Sequence, residues 1–146
     1  MSHPIIESSQ EGHTDIVQSL LDRGVDPNIR DKDGMTALMM TSIEAYDDIA
    51  RLLLDYGADP NITNNDGWTA LMMAAYNGHL DTVELLLDMK SFPDVQDEGG
   101  RTALIWASIQ GKTSCVEALL DCGASVNMEC YFKKTAIVYA AENHNV

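Results

Sequence analysis

A three-residue phrase returns four times in this chain, each time 33 residues after the last: Thr36-Ala37-Leu38, Thr69-Ala70-Leu71, Thr102-Ala103-Leu104 and Thr135-Ala136-Ile137. Gly34, Gly67 and Gly100 keep the same interval, as do Leu20-Leu21, Leu53-Leu54, Leu86-Leu87 and Leu119-Leu120, and Asp22, Asp55, Asp88 and Asp121. A strict period of this size means one supersecondary unit stacked on copies of itself, since so short a unit cannot bury an apolar face alone. Any function must then lie on a surface that the stacking builds.

One period, residues 64–96, shows what the unit is. Asn65-Asp66-Gly67 is turn chemistry, because Asn and Asp tolerate the left-handed region and Gly enters it without steric cost. Thr69 follows as an N-cap whose hydroxyl can accept a free amide of the helix beginning at Ala70. That helix, 70–76, is rich in small residues (Ala70, Ala74, Ala75), and Asn77-Gly78 ends it. A second helix carries Asp81 and Glu84 near its start, where carboxylates suit the positive end of the dipole. Val83, Leu86 and Leu87 stand at i, i+3 and i+4, a single apolar stripe. The unit is turn, helix, turn, helix, loop, and the fold class is all-α.

These residues resemble the ankyrin repeat family. Its usual pattern, D-x-x-G-x-T-P-L-H-x-A-A-x-x-G-H, is met by Asp31-Lys32-Asp33-Gly34-Met35-Thr36-Ala37-Leu38, by residues 64–79 and by residues 97–111. The closing G-A-D-x-N is met by Gly24-Val25-Asp26-Pro27-Asn28, Gly57-Ala58-Asp59-Pro60-Asn61 and Gly123-Ala124-Ser125-Val126-Asn127. The resemblance implies a helix-turn-helix solenoid with β-turn fingers, about four to five repeats long, covering nearly the whole chain. In this frame 1–146 is a single array: a partial repeat 1–30, repeats 31–63, 64–96 and 97–129, and a half repeat 130–146. Both ends fall inside a repeat, which fits either degenerate caps or an array cut from a longer protein.

Several positions depart from the pattern. Met39, Met72, Ile105 and Val138 replace the histidine, so its hydrogen bonds to neighbouring turns are lost. Ala37, Ala70, Ala103 and Ala136 replace the proline. Lys90-Ser91-Phe92-Pro93-Asp94 stands where Gly-Ala-Asp-x-Asn is usual, which predicts a reshaped loop of unchanged length. Lys133 replaces the turn glycine, which predicts an irregular last finger.

Other function classes find little support. No window reaches the roughly 18 apolar residues of a membrane span, and the N-terminus has no signal-peptide pattern. The three cysteines Cys115, Cys122 and Cys130 match no metal spacing and read as free thiols, which fits a cytoplasmic or nuclear protein. The net charge of −14 is spread over the first four units. Such a field repels nucleic acid and steers basic partners. No phosphate loop, nucleophile elbow or H-E-x-x-H occurs. The acidic pairs Asp47-Asp48 and Asp97-Glu98 read as a helix start and an exposed turn tip, and His13 and His79 as structural. The chain is expected to be noncatalytic, with no cofactor and no metal, and monomeric.

Positions that vary while the frame stays fixed are the candidate contacts. The resemblance implies a concave face formed by fingers and first helices as the partner site. On the fingers the candidates are Met35, Asp66, Trp68, Glu98, Arg101, Tyr131 and Phe132; on the first helices they are Tyr76 and Ile109. Met40, Met73, Trp106 and Tyr139 share one position of the frame and form a ladder. Two readings stay open for it: packing between helices, or an exposed Met and aromatic stripe rimmed by acid, suited to interface anchors. Trp68 is expected on a turn tip. The partner implied is a protein with a basic or apolar recognition segment. Two alternatives are a structural or targeting segment of a multidomain protein and a small inhibitor of one enzyme. The resemblance further implies hydroxylation of loop asparagines preceded by Leu and Asp at set distances. Asn28 (with Leu20 and Asp26) and Asn61 (with Leu53 and Asp59) fit, while Asn127 has Ser125 in place of the Asp. The alternative is that these asparagines simply bond the loop backbone.

Overall fold

The computed structural model describes residues 3–144. Its elements are the α-helices α1 (Pro4–Glu11), α2 (Thr14–Asp22), α3 (Ala37–Glu44), α4 (Asp47–Asp55), α5 (Ala70–Asn77), α6 (Leu80–Asp88), α7 (Ala103–Ile109), α8 (Thr113–Asp121) and α9 (Ala136–His144), with no strand among the described residues. Helices α1 and α2, α3 and α4, α5 and α6, and α7 and α8 pack as pairs. The first helices stack in the order α1, α3, α5, α7, α9, and the second helices in the order α2, α4, α6, α8. The result is a two-layer helical solenoid, as the period demands.

The recurring threonines set the helix starts. Thr36, Thr69 and Thr102 are extended, and each hydroxyl accepts the amide of Met39, Met72 or Ile105 at 3.2 Å. Each such cap contributes about 1 kcal/mol. The leucines set the core: Leu53, Leu86 and Leu119 are fully buried, as are Leu38 and Leu71. Met39, Met72 and Ile105 are buried too, so the frame position that the family gives to histidine is part of the apolar core here. Ala74, Ala75 and Ala107 have no exposed surface, which is how neighbouring first helices come close. His79 closes a junction between units, its Nε2 lying 2.8 Å from the Ile43 carbonyl oxygen.

The fingers repeat one hydrogen-bond pattern. The amides of Asp31, Asn64, Asp97 and Cys130 donate to the carbonyls of Met35, Trp68, Arg101 and Lys134 at 2.9–3.0 Å. One bond ties each finger to the next: Asn65 N–H to Asp33 O (3.0 Å), Glu98 N–H to Asp66 O (3.1 Å), and Tyr131 N–H to Gly99 O (2.9 Å). Here glycine answers to close approach. A Cβ on Gly67 would lie 3.0 Å from the backbone of Asp97 and Glu98.

Two expected irregularities do not occur. Lys133 adopts φ 61°, as the turn glycines adopt positive φ, and its amide donates to Cys130 O at 2.9 Å like theirs. The last finger is therefore regular. Among the described residues no finger follows it, so a side chain has room there that Gly67 lacks. The 90–94 loop is not reshaped either. Lys90 takes φ 71° where Gly57 has 95°, and Ser91 N–H donates to Leu86 O at 3.0 Å just as Ala58 N–H donates to Leu53 O at 2.9 Å. A Cβ on Gly57 would meet nothing within 4 Å, so the loop keeps its shape at the cost of backbone strain alone, about 1 kcal/mol.

Candidate functional site on the finger and first-helix face

Three rings contributed by two successive units pack together on this face. Trp68, the residue before the N-cap of α5, lies 4.7 Å from Trp106 of α7 and 5.5 Å from Tyr76 of α5, centroid to centroid. Tyr76 and Trp106 are 5.5 Å apart, edge to face. All three are half-buried. Such pairs contribute about 0.5–1.5 kcal/mol each beyond the area they bury, so the rings hold one another in place while keeping an outer face free.

Arg101 and Asp97 fix this cluster. The Arg101 guanidinium stands 5.0 Å from the Trp106 ring and 5.6 Å from the Phe132 ring, bridging repeat 97–129 to the last finger. Asp97 is buried, with 6% of its surface exposed. Its Oδ1 accepts the amides of Gly99 (2.9 Å) and Arg101 (2.8 Å), and its Oδ2 accepts Trp106 Nε1–H at 2.9 Å. Asp31 and Asn64 make the same pair of amide bonds in their own fingers. The bond to an indole is peculiar to Asp97.

The cluster continues into α9. Tyr139 Oη lies 3.2 Å from Cys130 Sγ, and Lys134 Nζ is 5.3 Å from the Tyr139 ring while bonding Glu142 at 2.8 Å. Burial pushes the Cys130 thiol up, but the Tyr139 hydroxyl, the backbone of Lys134 and Phe132 and the Arg101 charge outweigh it and hold it below the ordinary thiol range. Burial and the Cys130 contact push the Tyr139 hydroxyl above its usual value. Burial likewise raises the Cys115 thiol. All three cysteines are free, Cys122 being the exposed one.

The expected contact residues separate into groups. Trp68, Tyr76, Trp106, Arg101 and Phe132 form the connected cluster, while Tyr139 meets Cys130 and Lys134. Tyr131 is exposed and lies over Gly100; Asp66 and Glu98 are exposed on the finger tips. Met35, Met40 and Ile109 are half-buried and packed against the apolar core. The ladder divides: Met73 is buried at 3% exposed, while Met40, Trp106 and Tyr139 are half-buried. Met73 is therefore a core residue and not a surface contact.

Two positions differ from expectation. Trp68 is not on a turn tip but folded against the first helices, because its neighbours Tyr76 and Trp106 offer it ring surface. Asp97 is not at an exposed tip but is the buried anchor of its finger, and the candidate residues did not include it. Its signal was the recurring Asp or Asn at 31, 64 and 97, four residues before the amide that it accepts. Asn28 and Asn61 each use both ends of the amide on the next loop. Asn28 accepts from Asp59 N–H (2.7 Å) and donates to Gly57 O (3.2 Å); Asn61 accepts from Phe92 N–H (2.8 Å) and donates to Lys90 O (3.2 Å).

Among the described residues no group of three or more His, Cys, Asp or Glu is placed to hold a metal ion, and no helix is long and apolar enough to cross a membrane. The arrangement is thus a helical repeat solenoid with a preorganised aromatic and charged face. A family model described as ankyrin repeats (3 copies) matches residues 5–97 and 90–146. The chain belongs to the ankyrin repeat family. Repeats of this family are generally protein–protein interaction modules, and proteins built from them are typically noncatalytic. A search of curated proteins gave no match.

Proposed function

We propose that the chain is a noncatalytic, monomeric interaction module of the cytoplasm or nucleus that docks a protein partner on its finger and first-helix face. One observation carries this reading: Trp68, Tyr76 and Trp106 interlock at 4.7–5.5 Å while remaining half-exposed. Large aromatic side chains held in fixed orientation are the usual anchors of an interface, and a face that is already ordered loses little conformational entropy on binding. Asp66 and Glu98 stand exposed on the finger tips beside it, in a chain of net charge −14. The partner segment that suits this face is apolar at its centre and basic at its edge, and nucleic acid is disfavoured by the same field.

The test is affinity capture with the wild-type chain and a Trp68→Ala/Tyr76→Ala variant of unchanged circular dichroism. A protein retained by the first and lost by the second supports docking on this face. One retained equally by both overturns it.

A further inference from the structure

One frame position changes character along the finger face. Met35, Trp68, Arg101 and Lys134 hold the same place in successive fingers, one residue before the recurring threonine. The first two are apolar and the last two cationic. Lys134 is paired with Glu142 at 2.8 Å. Arg101 is half-buried in a finger that has another finger on either side. Among the described residues it forms no ion pair, and its buried Nε meets no hydrogen-bond partner. Asp97 in the same finger already has both oxygens taken, by the amides of Gly99 and Arg101 and by Trp106. Tyr139 is neutral and leaves the charge uncompensated. Arg30 shows the opposite case: its guanidinium donates to Gly34 O (3.3 Å) and Thr63 O (2.9 Å).

A half-buried guanidinium with unused donors is a desolvated charge that gains from an acceptor. The rings beside it shape what that acceptor can be. Trp106 at 5.0 Å and Phe132 at 5.6 Å hold the planar fork in place, and a fixed fork matches a carboxylate bidentately. Exposed Glu98 and Asp66, on the tips of this finger and the one before it, repel a strand of phosphates more than a single carboxylate beside an apolar group. Trp106 lies 4.7 Å from Trp68 as well. A segment that seats an apolar side chain on Trp68 therefore reaches Arg101 within about two or three extended residues.

We propose that Arg101 is the anion-binding element of the finger and first-helix face, and that the partner segment places an Asp or Glu side chain against its guanidinium, two or three residues from the apolar side chain that meets Trp68 and Trp106. This rests on the docking reading above and reverses the required charge at one point of a face whose tips are acidic.

The probe is a phage-displayed library of random short peptides selected on the wild-type chain, followed by fluorescence anisotropy of the selected peptides as fluorescein conjugates. The proposal expects these peptides to share an Asp or Glu two or three residues from an aromatic or aliphatic anchor. Exchanging that acid for its amide should weaken binding to the wild-type chain about tenfold or more. The same exchange should change nothing on Arg101→Gln, used at unchanged circular dichroism. Arg51→Gln, which removes an exposed cation of α4, should keep the wild-type affinity. Peptides that Trp68→Ala releases, but that carry no recurring acid or ignore Arg101→Gln, overturn the proposal and leave the docking reading standing. Peptides that ignore Trp68→Ala as well overturn both, as does a selection that enriches none. A single-stranded oligonucleotide bound by the wild-type chain and lost in Arg101→Gln also overturns the proposal, since phosphate would then be the ligand.

Discussion

The bond from Trp106 to Asp97 gives the aromatic face its sharpest test. In Asp97→Asn the side chain keeps an oxygen for the amides of Gly99 and Arg101, the role that Asn64 already performs one unit earlier with Asp66 and Trp68. The second oxygen, which accepts Trp106 Nε1–H at 2.9 Å, becomes an amide donor facing another donor. Losing a charge-assisted bond and leaving a half-buried indole N–H unpaired costs about 2 kcal/mol, allowing for relief from burying a carboxylate. For a chain of this length that lowers the thermal midpoint by about 6 °C. Asp97→Ala, which removes all three bonds, should cost about 4 kcal/mol. Urea unfolding gives the free energies, and near-ultraviolet circular dichroism reports the coupled tryptophans. The control is Asn64→Asp, which keeps the two amide bonds and should stay within about 0.5 kcal/mol of wild type. An Asp97→Asn protein with unchanged stability and an unchanged aromatic spectrum would refute the anchoring role.

Other outcomes follow from the same geometry. Lys90→Gly should stabilise the chain by about 0.5–1 kcal/mol, because it relieves a left-handed lysine where a glycine backbone is otherwise used; a lower midpoint in thermal unfolding would contradict this. Ala45→Gly, at φ 61° in the cap of α3, should act in the same direction. Leu86→Ala should cost about 3–4 kcal/mol, since Leu86 of α6 is fully buried in the core; urea unfolding measures it. In the folded chain iodoacetamide should label Cys122 first, with Cys115 and Cys130 shielded by burial; peptide mapping that finds Cys115 modified first would contradict the packing of α8. Hydroxylation of Asn28 or Asn61, the modification that the family pattern suggests, should appear as a gain of one oxygen in intact mass after treatment with an asparaginyl hydroxylase.

Much of the scaffold was legible because it rests on period-dependent chemistry. Threonine caps, glycine turns and the leucine stripe recur at one spacing, and each recurrence predicts the same local structure. The side-chain directions were less legible. Nothing local told that Trp68 turns from its finger onto the first helices, because that depends on ring surface supplied by Trp106 of the next unit. Asp97 looked like an ordinary turn acid until its second oxygen met an indole nine residues on. Met73 and Trp106 share a frame position, yet one is buried and the other is half-exposed, so the ladder could not be assigned as a whole. Lys90 and Lys133 predicted distortion from their own preferences. The hydrogen bonds of the repeating frame overrode those preferences for about 1 kcal/mol apiece.

Photo-crosslinking tests the central claim most directly. A benzophenone side chain placed at Glu98, on a finger tip, is compared with one at Asp55, exposed on the second-helix side, in a cell lysate. The docking account predicts a partner crosslinked from Glu98 and not from Asp55, competed away by unlabelled wild-type chain but not by the Trp68→Ala/Tyr76→Ala variant. Crosslinking of the same partner from Asp55 alone, with both competitors equally effective, would contradict it.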